Sequence, residues 1–269
     1  MSDAILGTFP LTDICINLLS GQFRDDLEAV MTRARSAGVG RWVSVATNLE
    51  EAAALLELPP ELTQVCTAGI HPHDAKDTTH NPAWREQLTA LAKSNRVHAI
   101  GETGLDFNRN FSPRSIQTEV FQAQIDIACE LDKPLYVHDR ESDGEVLAAL
   151  RRPVHLPPVV IHCFTGTRDE LDTYLAAGFY IGITGWVADR RRGAALRDMV
   201  GAIPLERLML ETDAPFLRPH NAPGKTRRNE PALLPYVLQS IAEHRDETAA
   251  EIAAATHANA ARFFGLGAD

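Results

Sequence analysis

Four side chains near the ends of apolar runs carry groups that can hold a divalent cation or move a proton: Glu102, His138, His162 and Asp213. Glu102 lies where the short run 97–100 (VHAI) meets two glycines that flank the acid, Gly101 and Gly104. Glycine lets the backbone turn sharply and lets another group come close. A carboxylate buried without a cation is unfavourable, and no Lys or Arg adjoins Glu102 in sequence. His138 closes the run 134–138 and His162 the run 158–162. Two histidines at successive strand ends beside an acid read as a ligand cluster, because imidazole and carboxylate form an ordinary mixed set for a divalent ion. Asp213, in LETDAP (210–215), is placed to be a further ligand or the base that takes a proton from water. Glu211, two residues earlier, reads as a ligand or as an orienter of a histidine.

Around this core stand residues with two readings each. His71 and His73 form HPH, and one intervening residue in an extended segment puts both rings on the same side. They serve either catalysis and phosphate binding or the hydrogen bonding of their own loop. Lys225, Arg227 and Arg228, in GKTRRNEP, and Arg109, in the loop after the fourth strand, are candidate phosphate contacts. The basic loop also reads as a solvated segment ahead of a helix. Asp106 reads as structural, orienting its neighbours. Trp186 and Phe107 either stack bases or simply pack.

What must position these residues repeats along the chain. Strand-like runs fall at 12–18, 41–47, 64–70, 97–100, 134–138, 158–162, 179–184 and 207–211. Helical patterns follow at 24–37, 49–58, 82–93, 113–131, 141–150, 168–177, 190–200, 231–244 and 247–264, with Gly38, Gly178 and Pro59-Pro60 as stop signals. Strict alternation predicts a parallel sheet. Eight units predict an α/β fold closed into a (β/α)8 TIM barrel, one domain over 1–269, with its active site at the carboxyl ends of the strands. The rival, an open doubly wound sheet, lacks a G-x-G-x-x-G after its first strand.

Composition narrows the function. The net charge of −10 argues against a protein that coats nucleic acid by neutralising phosphates. It leaves room for an enzyme that holds phosphate through metal ions and a few arginines. No apolar run approaches the roughly 20 residues of a membrane span. The first 13 residues hold acids and no basic segment, so no signal peptide is read. Cys15, Cys66, Cys129 and Cys163 are scattered without CxxC spacing. They read as reduced thiols of a cytoplasmic protein.

At these residues the chain resembles the TatD family of metal-dependent deoxyribonucleases, amidohydrolase-like TIM barrels. The resemblance spans essentially the whole chain, through GIHPHD (69–74), IGETGLDFNRNF (100–111), YVHDR (136–140), IHCFTGT (161–167), YIGITGWV (180–187), LETDAP (210–215) and RRNEPA (227–232). It is nearest to TatD proper. The resemblance implies a metal site of Glu102, His138, His162 and Asp213, with His71 and His73 beside it. Many relatives carry an H-x-H pair at the end of the first strand, which completes a two-metal site; Cys15 and Asn17 stand there in this chain. One resident ion is therefore expected, Mg²⁺ foremost, with Mn²⁺ or Zn²⁺ as the other options. Asp213 would accept a proton from water, and His71 or an arginine would stabilise charge on the phosphate. The implied activity is 3′ to 5′ exonuclease action by a monomer on single-stranded DNA or RNA, in DNA repair or turnover. Hydrolysis of an amide, ester or lactone is the alternative enzyme reading, since the same ligands polarise a carbonyl. A barrel retained only as a binding partner is the non-enzymatic one: the missing first-strand histidines favour it, and the other retained ligands oppose it.

Overall fold

The computed structural model describes residues 10–267. Residues 1–9, on which most of the signal-peptide reading rests, lie outside them. The chain runs β1 (Leu11–Ile16), α1 (Leu27–Ser36), β2 (Val39–Ser44), α2 (Leu49–Glu57), β3 (Val65–Ala68), α3 (Trp84–Ala92), β4 (Val97–Asp106), α4 (Arg114–Leu131), β5 (Leu135–Arg140), α5 (Glu145–Leu150), β6 (Val159–His162), α6 (Arg168–Ala176), β7 (Tyr180–Ile183), α7 (Ala194–Val200), β8 (Leu208–Leu210), α8 (Leu234–Ala242) and α9 (Ala249–Phe263). The sheet follows chain order, β1 to β8, so the fold is the expected (β/α)8 TIM barrel. Every residue of β1, β3, β6, β7 and β8 is buried. Parallel strands covered on both faces read as continuous apolar runs, which is why the sequence marks them so clearly.

The chain divides into two compact units: residues 44–162 with 169–180, and residues up to 43 with 163–168 and 181–269. The first holds β3 to β6, paired in parallel. Gly104 is level with His138, and His138 with His162. Its helix α2 starts at Asn48, whose side chain accepts the Glu51 N–H at 2.9 Å. The second holds β1, β7 and β8, and ends in α9, entered through a capping box of Thr248 and Glu251. Among the described residues no helix is long and apolar enough to cross a membrane. None of the four cysteines is in a disulfide among the described residues.

Candidate active site

The strand that carries Glu102 is longer than the apolar run predicts. β4 continues through GETGLD to Asp106, so Glu102 lies inside the strand, not at its end. The two glycines make this possible. Their φ angles are +151° and +136°, a region closed to most side chains. A Cβ on Gly101 would strike the backbone of Tyr136, and one on Gly104 the carbonyl of His138. The register with β5 shifts between Ile100 and Thr103. This irregular stretch brings β4 against β5 and turns the Glu102 carboxylate to the histidines of neighbouring elements.

Three imidazoles converge on one oxygen, Oε1 of Glu102. His162 Nε2 lies at 2.9 Å, His138 Nδ1 at 3.0 Å and His71 Nε2 at 3.1 Å. Glu102, His71 and His162 are buried, and His138 is partly exposed. Burial pushes the Glu102 carboxyl up, but the charges of His162 and His71 and the hydrogen bonds from His138 and His162 hold it well below the usual range. Burial lowers His71 below the usual imidazole value despite Glu102. His138 is raised: burial opposes its charge, and Asp106 with Glu102 outweighs burial. The histidines differ in role by their second nitrogen. His71 Nδ1 accepts the backbone N–H of His73 at 3.1 Å. Its proton in the neutral form is therefore on Nε2, facing Glu102.

Asp106 closes the cluster. Its Oδ2 lies 2.6 Å from His73 Nε2, and its Oδ1 accepts the backbone N–H of Arg109 at 2.8 Å and of Asn108 at 3.1 Å. Burial raises its carboxyl, but His138 and His73 hold it far below the usual range. The sequence reading missed two supports on α4. Gln124 accepts the Ile70 N–H at 2.8 Å and donates to the Ile70 carbonyl at 3.0 Å, next to His71. Gln117 accepts the Asp106 N–H at 2.8 Å and donates to the Ser112 carbonyl at 2.8 Å. Both amides are buried. Their signal was available: two polar residues, seven apart, on the apolar side of an otherwise ordinary helix.

Most of the remaining candidates belong to the other unit. Asp213 follows β8 with φ +54°. Asn17 donates its amide to Asp213 Oδ1 at 2.9 Å and to the Ala214 carbonyl at 3.3 Å, and Cys15 Sγ lies 3.6 Å from the same Oδ1. Both neighbours of the Asn17 amide nitrogen are acceptors, so the residue acts there as a donor. Glu211 is fully buried and accepts the Cys163 N–H. Arg228 is engaged by Asp26 at 2.7 Å and Glu230 at 2.7 Å, a network that also takes in Arg33. Lys225 and Arg227 are exposed, as is Arg109 in the first unit. Phe107 is buried beneath the Arg114 guanidinium, 4.3 Å from its ring centre, so it packs.

The first-unit cluster fits a divalent ion. His71, Glu102 and His138 bring atoms of ligand type within 4.8 Å of one another, and Glu102 and His138 are the two with lone pairs to offer an ion there. His138 Nε2 is buried without a hydrogen-bond partner, 3.5 Å from Asp106 Oδ2. One carboxylate oxygen has two lone pairs, too few for three good N–H donors. Ligand atoms about 2.1 Å from a common ion lie about 3 Å apart at right angles, the spacing at Glu102.

A TIM barrel with imidazoles gathered on a buried carboxylate is the scaffold of a metal-dependent hydrolase. A model of the family described as TatD related DNase matches residues 12–265. The 3′-5′ ssDNA/RNA exonuclease TatD of Edwardsiella piscicida is 45% identical over 261 residues, 95% of this chain and 100% of that protein. The protein of the same name from Citrobacter rodentium is 47% identical over 262 residues, 94% of this chain and 97% of its own. The crystal structure of YJJV, a TatD homologue from Escherichia coli K12, superposes with a TM-score of 0.86 at 30% identity, covering 96% of this chain and 98% of that one. The chain belongs to the TatD related DNase family. It is a metal-dependent nuclease, a hydrolase of phosphodiester bonds.

Proposed function

We propose that the protein is a 3′ to 5′ exonuclease on single-stranded DNA or RNA, acting as a monomer in DNA repair or turnover. The observation that carries the site is the convergence of His71, His138 and His162 on Glu102 Oε1. The polarity and the substrate are those in the names of relatives about 45% identical over almost the whole chain. Glu102, His138, His162 and Asp213 are the proposed holders of a divalent ion, Mg²⁺ foremost given two carboxylates in the set. When bound, the ion supplies a Lewis acid for a phosphoryl oxygen and makes water a better nucleophile.

The protein's own groups do the rest. Asp213, fixed on one oxygen by Asn17, takes a proton from the attacking water. The water oxygen bonds to phosphorus and the P–O3′ bond to the shortened strand breaks; the released nucleotide keeps the phosphate, and the 3′-oxygen takes a proton from solvent. His71, with its proton on Nε2, holds the Glu102 carboxylate in place. His73, braced by Asp106, and Arg109 face the phosphate, and Lys225 and Arg227 contribute further positive charge.

The test uses metal-stripped protein and a single-stranded oligonucleotide labelled at its 5′ end. Mg²⁺, Mn²⁺ or Zn²⁺ is added back separately, with Glu102→Gln as the control. The expected result is a ladder that shortens from the 3′ end, depends on the ion and is missing in the variant. Products from internal cleavage would overturn the exonuclease assignment. Equal activity in Glu102→Gln would overturn the site.

A further inference from the structure

The loops after β7 and β8 enclose a cleft of about 330 Å³, lined by Trp186, Asp189, Arg192, Arg218, His220 and Arg227 among others. None of the proposed metal ligands lines it. The two loops are fixed to each other: a Cβ on Gly185 would strike the Leu217 carbonyl. Thr184 Oγ1 accepts the Trp186 N–H at 3.3 Å and starts the short 3-10 helix Gly185–Ala188 that carries the indole.

One wall is a neutral stack. The Arg192 guanidinium lies 4.1 Å over the Trp186 ring. Asp189 Oδ2 accepts from Arg192 Nε at 3.1 Å and Nη2 at 2.8 Å. Asp189 Oδ1 accepts the backbone N–H groups of Arg191 and Arg192 at 2.8 and 2.9 Å. His220 Nε2 stands 3.8 Å from the same acid. The charge of Arg192 is thus matched, while its side chain remains 60% exposed. A planar guanidinium stacked on an indole is a platform for a base.

The other wall is cationic and has no acid. Arg218 donates to the carbonyls of Pro219, Ala222 and Pro223, and its buried Nε has no partner. Arg227 is exposed. Among the described residues neither guanidinium pairs with a carboxylate, in a chain whose net charge is −10. Carbonyls orient a guanidinium without neutralising it, so the Arg218 charge is left for an anion. The volume is at the lower end of small-molecule sites, about 300–1,000 Å³: enough for one nucleotide. Loops after the seventh and eighth strands of such barrels are frequent phosphate sites.

We propose that this cleft binds one nucleotide unit, its phosphate on Arg218 and Arg227 and its base on the Trp186–Arg192 stack. The inference rests on the nuclease reading and adds the residues that grip the nucleic acid. The nucleotide comes either from the strand or from released product, and the probes distinguish the two.

The experiment titrates the Mg²⁺-loaded protein with dAMP, and separately measures KM for a single-stranded oligo(dA). The variants are Arg227→Gln, Trp186→Leu, Trp186→Phe and, as a control for binding at the metal centre, Glu102→Gln. If the cleft takes product, Arg227→Gln and Trp186→Leu each weaken dAMP about tenfold, Trp186→Phe restores most of the loss, and Glu102→Gln binds dAMP as the unmodified protein does. If it takes the strand, dAMP affinity is unaffected by the cleft variants while KM for oligo(dA) rises about tenfold in Arg227→Gln and Trp186→Leu, more than kcat falls, with Trp186→Phe again close to normal. Neither quantity moving in the cleft variants would overturn the proposal while leaving the nuclease intact. Absence of cleavage by the unmodified protein would instead overturn the nuclease reading.

Discussion

Oε1 of Glu102 meets three nitrogens at 2.9–3.1 Å, and their second nitrogens separate their roles. His71 uses Nδ1 to accept the His73 N–H, so toward Glu102 it presents a proton, not a lone pair. His162 Nε2 lies at 2.9 Å from the same oxygen, and His162 is one of the proposed holders of the ion. The expected outcome is a split between two equally conservative changes. His162→Ala should lose stoichiometric divalent ion after dialysis, whereas His71→Ala should retain it and lose about 10- to 100-fold in kcat, the usual effect of removing an orienting partner. Metal analysis of the two dialysed proteins, beside their cleavage rates, checks this. Loss of the ion from His71→Ala would make that histidine a ligand.

At the scale of elements, β1 and the segment after β8 are joined by a buried acid. Asp13 Oδ1 accepts the Thr212 N–H at 2.9 Å and the Cys15 N–H at 3.1 Å, and Oδ2 meets Thr212 Oγ1 at 2.5 Å. Burial raises its carboxyl from 3.8 to about 7, against the lowering effect of those hydrogen bonds and with Glu211 adding repulsion. The folded value lies above the unfolded one, so between them the native state binds more protons. Its contribution to stability is fully present below about pH 4 and is lost as pH rises through about 7. Asp13→Asn, which copies the protonated acid in shape, should lack this component. The difference between the two urea-unfolding profiles should then change by on the order of 3 kcal/mol between pH 4 and pH 8. A constant difference across that range would mean that Asp13 is ionised throughout.

The same scale shows what the sequence made legible. Every strand was visible as an apolar run because parallel strands are covered on both faces, and helix ends were marked by Gly38, Gly178 and Pro59. The apolar run predicts a β4 of four residues because a glycine pair looks like a turn; in the fold those glycines let the strand continue against Tyr136 and His138. The gathering of Glu102 with His138 and His162 was legible from strand order alone. The donor role of Asn17 toward Asp213 was not, since it depends on two acceptors nearly 200 positions away. Gln117 and Gln124 stand out in the sequence only as polar residues on the apolar side of α4; what they hold, the backbones of Asp106 and Ile70, is seen only in the fold.

At the scale of the whole molecule, the charge distribution sets how nucleic acid can be held. The chain carries 36 acidic and 26 basic side chains. Several arginines are already matched: Arg228 and Arg33 by Asp26 and Glu230, Arg192 by Asp189, Arg245 by Glu247. The cations proposed here to meet phosphate are Arg109, Arg218, Lys225 and Arg227, a small group. Each phosphate neutralised on a single strand contributes about −0.7 to the slope of log affinity against log salt. Two or three contacts therefore give a slope of about −1.5 to −2, measured by fluorescence anisotropy of a labelled oligonucleotide on Glu102→Gln with Mg²⁺ held constant. A slope steeper than about −4 would require six or more phosphate contacts, more than the four proposed cations supply. With so shallow a dependence, affinity must come from the metal centre and from stacking. Lengthening the strand beyond the few nucleotides that reach them should then tighten binding little, as suits an enzyme that works at a chain end.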